Sequence, residues 1–288
     1  MIVNKFNFMH ISPTAHLDDF CKHQTHHLLL AHLLETDIQY YEWYRNNKSS
    51  NPNHVYILDN SAFELYKRGL PMFEPSKMVD LAKRVKADYI VLPDYPAEHS
   101  SKTIQAAQRW APFYQASGFK TFFVPQSEIR DISQYIECLQ WGCAYRLIDY
   151  IGISILAVPN AYGVEKDNKL QRFLSRWKLW TNHRVYTAID QFKLSGGRVH
   201  FLGMTDGPNE LELFAPYLGI QIDSWDSSAA VWAGLNDILF DTSPTGLVNG
   251  KFETHVDFDF STIEQRLINY ARTNIEYINK IVDGVNEI

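Results

Sequence analysis

Short apolar runs along this chain end, one after another, in a polar residue or a glycine. Ile57-Leu58 runs into Asp59, Tyr89-Ile90-Val91-Leu92-Pro93 into Asp94, and Phe122-Phe123-Val124-Pro125 into Gln126. Ile151-Gly152-Ile153 meets Ser154, Val199-His200-Phe201-Leu202 meets Gly203, and Ile220-Gln221-Ile222 precedes Asp223 and Asp226. Runs this short, rich in Val, Ile and Phe, have the pattern of strands buried on both faces in a parallel sheet. Asp59, Asp94, Gln126 and Ser154 follow one another at intervals of about 35, 32 and 28 residues, the size of a βαβ unit. Repeated βα units predict an α/β chain with a (β/α)₈ TIM-like barrel, whose chemistry gathers at the carboxyl ends of its strands.

The remaining elements follow from period and punctuation. A first strand is expected over 6–11 and an apolar helix over 26–34. The turn-forming stretch 46–53 (NNKSSNPN) predicts a loop, and the next strand follows at 55–58. Helices are expected over 75–86, opened by Pro75, over 103–117, stopped by Gly118, and over 127–141, broken by Gly142. The pattern loosens over about 159–197 into a polar, basic and aromatic segment, read as an elaborated crossover or small insertion. A short helix at 209–218, a helix begun at 228–235, a loop at 241–250 and a long amphipathic helix over 261–285 complete the chain. No repeat or linker interrupts it, so one barrel domain is expected over 1–288.

Composition narrows this picture. Apolar residues make up 45% of the 288, enough for a sizeable core. The formal charge of −6 argues against a broad non-specific nucleic-acid coat but leaves room for a local basic face. Lys166, Lys169, Arg172, Arg176, Lys178 and Arg184 form the larger basic cluster, with Trp177 and Trp180 among them. Lys169, Arg172 and Arg176 are the candidates for gripping a nucleic-acid strand, where phosphate contacts and base stacking add. Cys21, Cys138 and Cys143 lack disulfide or metal spacing, so reduced thiols, no metal and a cytoplasmic location are expected. Neither a membrane-length apolar run nor a signal peptide is seen.

Asp59 and Asp226 suggest a pair of working carboxylates, one nucleophile and one acid/base, as cleavage at an anomeric carbon requires. Asp94 and Gln126 together suit recognition of a planar base edge, and Phe63, Tyr95 and Trp225 are placed to stack on such a ring. Ser154 and Gly203 are small residues that let a ligand approach the backbone. Each polar residue has a second reading as a helix cap or turn former.

The motifs, in order over about 55–230, resemble those of the tRNA-guanine transglycosylase superfamily. Leu58-Asp59-Asn60-Ser61-Ala62-Phe63-Glu64 is similar to the family's Asp-Ser-Gly-Gly-Phe-Gln, and Tyr89-Ile90-Val91-Leu92-Pro93-Asp94 to its Asp-Ile-x-Met-x-x-Asp. Val124-Pro125-Gln126-Ser127 resembles Val-Gln-Gly, Ile155-Leu156-Ala157-Val158 resembles Gly-Leu-Ala-Val, and His200-Phe201-Leu202-Gly203 resembles Tyr-Leu-Met-Gly. Ile222-Asp223-Ser224-Trp225-Asp226-Ser227 resembles Asp-Met-Phe-Asp-Cys. The resemblance implies Asp226 as nucleophile at C1′ and Asp59 as general acid/base. It further implies Asp94 and Gln126 as readers of the base, Ser154 and Ile155 at a base-contacting Gly-Gly pair, and His200 at a stacking tyrosine.

The departures are equally specific. The family's Cys-x-Cys-x-x-Cys zinc site is missing, and Ser228-Ala229-Ala230-Val231-Trp232 stands where Pro-Thr-Arg grips an anticodon loop. These losses resemble the DNA-modifying DpdA branch, of phage or bacterial origin. That branch implies a glycosyltransferase (pentosyltransferase) exchanging guanine in single-stranded or locally opened DNA for a 7-deazaguanine such as preQ0. It also implies a covalent aspartyl-nucleotide intermediate and no cofactor, and the cytoplasm would be the host's if the chain is phage-encoded. A tRNA-modifying relative, a two-carboxylate nucleoside or glycoside hydrolase, and a binding protein without chemistry are the competing readings.

Overall fold

The computed structural model describes residues 5–205, 207–240 and 263–287. Its strands are β1 (Asn7–His10), β2 (His26–Leu30), β3 (Val55–Asp59), β4 (Tyr89–Val91), β5 (Lys120–Phe123), β6 (Tyr150–Ser154), β7 (Arg198–Leu202) and β8 (Ser224–Ser227). They form one sheet in the order β1-β8-β7-β6-β5-β4-β3-β2, with helices between the strands and a C-terminal helix. This is a (β/α)₈ TIM-like barrel. By compactness the chain divides into two units, His26–His200 and Met1–Thr25 with Phe201–Ile288.

In the unit His26–His200, β2 to β6 pair in parallel, neighbour to neighbour. Tyr56, Ile57, Leu58, Ile90, Val91, Phe122, Phe123, Ile151 and Ile153 are fully buried. That accounts for the near-continuous apolar runs, since residues on both faces of these strands are covered. Helix Pro75–Val85 starts at a proline and lays Met78, Val79, Leu81, Ala82 and Val85 inward. β3 and β6 run into their polar residues, Asp59 and Ser154, whereas β4 and β5 end three residues before Asp94 and Gln126.

Several sequence expectations are corrected here. Residues 26–34 are not one helix: His26–Leu30 is β2, and only Ala31–Thr36 is helical. Three consecutive leucines serve a strand covered on both faces as well as they serve a helix. The stretch 46–53 is not all loop, because helix Ile38–Ser50 runs through its first half. That helix is capped by Asp37, which accepts from Gln39 N and Tyr40 N, and is tied down by the buried Lys48, which meets Asp88 at 2.9 Å. The helix expected from 127 starts at Ile132 and is capped by Asp131, whose Oδ1 accepts from Gln134 N at 2.9 Å. Gly142 lies within it, where a Cβ would meet Phe123 Cδ1 at 2.6 Å, so this glycine permits close helix–sheet packing instead of ending the helix. The segment 159–197 holds Lys169–Trp180 and His183–Leu194, and begins in the short helix Ala157–Ala161.

In the other unit, β1 and β8 pair in parallel, with Met9 opposite Asp226. The predicted strand 220–222 is instead a turn, in which Gln221 N and Ile222 N both donate to Tyr217 O. The strand begins two residues later, at Ser224, and so contains Asp226. Helix Gln265–Asn286 packs against helix Ala229–Leu235, and Gly234 lies directly against the Ala271 backbone. Asn274 joins them: its Nδ2 donates to Ala230 O at 3.3 Å and Ile238 O at 2.8 Å, and its Oδ1 accepts from Phe240 N at 2.9 Å. The loop expected at 241–250 and the first residues of the helix expected from 261 lie outside the described residues. Among the described residues no helix is long and apolar enough to cross a membrane.

Candidate active site

At the carboxyl ends of β3, β4 and β5 the chain builds a buried polar cluster. Asn60, Asp94 and Gln126 are 2%, 3% and 3% exposed. Asn60 Nδ2 donates to Asp94 Oδ1 at 2.7 Å and to Leu92 O at 2.8 Å, while its Oδ1 accepts from Ala62 N at 2.9 Å. Gln126 Nε2 donates to Asp94 Oδ2 at 2.6 Å. Burial pushes the Asp94 carboxyl up to about 6, against the opposing pull of the hydrogen bonds from Asn60, Gln126 and its own backbone. Asp94 and Gln126 are thus brought together. Asn60, which fixes Asp94 from the other side, was read in the sequence only as part of a turn.

Asp59 ends β3 and is partly exposed. Its Oδ2 accepts from Ser61 N at 2.8 Å, so it closes the turn into helix Ala62–Arg68. Ser61 is fully buried in the left-handed region at φ 57°, a conformation that costs a non-glycine residue about 1 kcal/mol or more. Its Oγ meets His32 Nδ1 at 2.9 Å, tying the turn to helix Ala31–Thr36. Phe63 and Tyr95 are partly exposed, and each carries a lysine over its ring, Lys67 Nζ and Lys102 Nζ, both at 4.1 Å.

Other expected site residues serve the fold. Ser154 Oγ accepts from Leu156 N and Ala157 N at 3.1 and 3.2 Å, which ties it to the turn that leads into helix Ala157–Ala161. The Ile155 carbonyl accepts from Arg172 Nη2 at 3.5 Å. His200 is fully buried, its ring against Phe122 at 5.6 Å and Tyr150 at 6.1 Å, so it does not offer a face to a base. Arg172 and Arg176 are 3% and 1% exposed. They are interior to the Lys169–Trp180 helix packing and do not form the expected open basic face with the partly exposed Lys169. Helical period explains the miss, because long guanidinium side chains on the inner stripe look in sequence like any basic cluster.

In the unit holding β8, Trp225 is fully buried between Phe201 at 4.7 Å and Phe214 at 5.8 Å, and its Nε1 donates to Gly203 O at 2.8 Å. It is a core residue and not a stacking platform. Because successive strand residues point to opposite faces, Asp226 points away from that aromatic layer. Asp226 is 7% exposed, and its Oδ1 accepts from Gly203 N at 3.3 Å. Gly203 has φ 71°, which frees its N–H for the carboxylate while its carbonyl holds Trp225. Asp223, 4% exposed, lies just before the strand, with its carbonyl accepting from Asn7 N at 3.1 Å.

This inventory comprises a desolvated carboxylate flanked by two amides, a turn-held carboxylate, and a strand carboxylate backed by a glycine N–H. Such groups can accept hydrogen bonds from a base edge, move a proton, and attack an electrophilic carbon. Cys21, Cys138 and Cys143 are free thiols, and among the described residues no three His, Cys, Asp or Glu side chains converge on a metal position. No family model matches this chain, and no curated protein matches it.

Proposed function

We propose that the chain is a base-exchange transglycosylase that replaces guanine in DNA with a 7-deazaguanine. The observation that supports it most is Asp94 held between Asn60 Nδ2 and Gln126 Nε2, buried, at the ends of three adjacent parallel strands. A guanine or 7-deazaguanine edge presents ring N–H and amino donors beside a carbonyl acceptor. A carboxylate accepts from the first two, and an amide N–H of Gln126 donates to the third. The barrel and its buried acidic residues fit an enzyme of glycosidase-like or base-exchange chemistry.

In this proposal an Asp226 oxygen attacks C1′ of the target nucleotide, and the C1′–N9 bond breaks with its electron pair leaving on guanine. Asp59 protonates the departing ring. The incoming 7-deazaguanine loses its N9 proton to Asp59 and attacks C1′, and the Asp226–C1′ bond breaks to restore the free carboxylate. Two displacements retain the sugar configuration, and neither requires a redox partner. A guanine stacked within a duplex is out of reach, so the substrate is a flipped or single-stranded site.

DNA is preferred to tRNA because the segment just after Asp226, Ser228-Ala229-Ala230-Val231-Trp232, holds no arginine. The matching segment instead forms helix Ala229–Leu235, whose Ala229, Ala230, Val231, Ala233, Gly234 and Leu235 are buried. The test is incubation of the protein with preQ0 and matched single-stranded DNA, duplex DNA and tRNA, followed by nucleoside mass spectrometry. A 7-deazaguanine deoxynucleoside is expected. Incorporation into tRNA alone moves the chain to the RNA-modifying reading, and base release without incorporation makes it a hydrolase.

A further inference from the structure

A second cluster lies at the opposite ends of the strands. His27 is the second residue of β2 and His54 immediately precedes β3, while Asn47 projects from helix Ile38–Ser50. His27 Nε2 and His54 Nδ1 are 3.4 Å apart, and the Asn47 amide atom Nδ2 is 3.5 Å from the first and 3.4 Å from the second. The three atoms therefore form a nearly equilateral triangle. As hydrogen bonds these contacts are long, since N–H donors settle about 2.9 to 3.0 Å from their acceptors. As edges of a tetrahedron they place a central point about 2.1 Å from each atom, which is the Zn–N and Zn–O bond length.

The ring geometry agrees. The two imidazole centroids are 5.4 Å apart. Rings aimed at one tetrahedral ion would have centroids about 5.3 Å apart, whereas nitrogens aimed straight at each other would set them about 5.7 Å apart. We propose that His27, His54 and Asn47 form a site for a borderline divalent metal ion, zinc being the probe, with water as fourth ligand.

Coordination by Asn47 uses its oxygen, so the amide turns over and Oδ1 takes the place of Nδ2; the exposed Asn51, whose Nδ2 donates to Asn47 Oδ1 at 3.1 Å, must then swing its amide away. Tyr56 Oη, 2.7 Å from that amide atom, then turns its one hydrogen from the Tyr44 carbonyl, 3.2 Å away, to the ligating oxygen and orients it. The nearby cation Lys48 is already met by Asp88. Cysteine spacing, which predicts no metal in this sequence, does not bear on this site, which contains no cysteine. At the amino ends of the strands a bound ion pins a helix to two strands, a stabilising role separate from base exchange.

The test is zinc titration of the full chain, wild type and His54→Gln, with cobalt absorption and thermal unfolding as readouts. His54 is partly exposed, so this variant is expected to fold, which an unchanged metal-free melting temperature verifies. The wild type should bind one equivalent, give the visible bands of tetrahedral cobalt and melt higher with zinc. His54→Gln should bind at least about tenfold more weakly and lose the bands. Asn47→Leu supplies an independent second variant with the same expectation. Equal zinc affinity in wild type and both variants would mean adventitious binding elsewhere among the 11 histidines and overturn the site, as would a wild type that takes up none.

Discussion

Gln126 donates to Asp94 across 2.6 Å in a setting where both side chains are almost wholly buried. The contact links the ends of β4 and β5, and the carboxylate it serves is raised to about 6 by desolvation. This gives the protein a pH signature. Between the ordinary carboxyl value of 3.8 and about 6, the unfolded chain has released a proton that the folded chain still holds. Stability contributed by Asp94 therefore falls as pH rises through that window, by roughly 3 kcal/mol in all. Asp94→Asn removes the titration. Urea unfolding at about pH 4 and about pH 7 should show wild type losing roughly that much relative to the variant. A difference that stays constant with pH would show that Asp94 does not titrate in this window.

Base binding should have the opposite dependence, because the ionised carboxylate is the acceptor. Affinity for free preQ0 should weaken as pH falls below about 6 in wild type, and Asp94→Asn should be weak throughout. Calorimetry at several pH values measures it.

Asp226→Ala should abolish incorporation while leaving preQ0 binding measurable. Asp223→Ala should retain activity. The reverse result would assign the nucleophile to Asp223. Trapping of a protein–DNA adduct by denaturing electrophoresis in wild type, absent in Asp226→Ala, gives an independent check.

Asp59 has a structural and a chemical role that two substitutions separate. Asp59→Asn keeps an acceptor for Ser61 N, so its stability should stay within about 0.5 kcal/mol of wild type, while exchange falls about 10²-fold or more. Asp59→Ala should add a stability loss of about 1 kcal/mol. Near-normal turnover in Asp59→Asn would reduce the residue to its turn.

Arg176→Ala should destabilise the protein by about 2 kcal/mol or more, since it empties a buried site. Lys166→Ala and Lys178→Ala, on exposed positions, should stay within about 0.5 kcal/mol. Equal melting temperatures for all three would show Arg176 to be dispensable for packing.

Gly234→Ala would set a Cβ 2.1 Å from Ala271 N, backbone that cannot step aside. The two helices must separate, at a cost of about 3 kcal/mol or more. A variant as stable as wild type by urea unfolding would show that this helix contact is loose.

The parallel sheet was legible in the apolar runs alone, because residues covered on both faces leave them unbroken, and so were the polar residues at or just beyond the ends of β3, β4 and β5. The C-terminal helix was legible from its 3.6-residue period. The sequence could not separate strand from helix at Leu28-Leu29-Leu30, nor place β8 two residues beyond the apolar run at 220–222. Short apolar segments carry no period, and the turn around Tyr217 arises from backbone bonding. Packing between distant segments is what buries Arg172, Arg176, His200 and Trp225, sets Ser154 against the N–H groups of Leu156 and Ala157, and places Asn60 on Asp94. The reason is the same in each case. Residue type sets what a side chain can do, but burial and partners set what it does, and both come from chain segments distant in sequence.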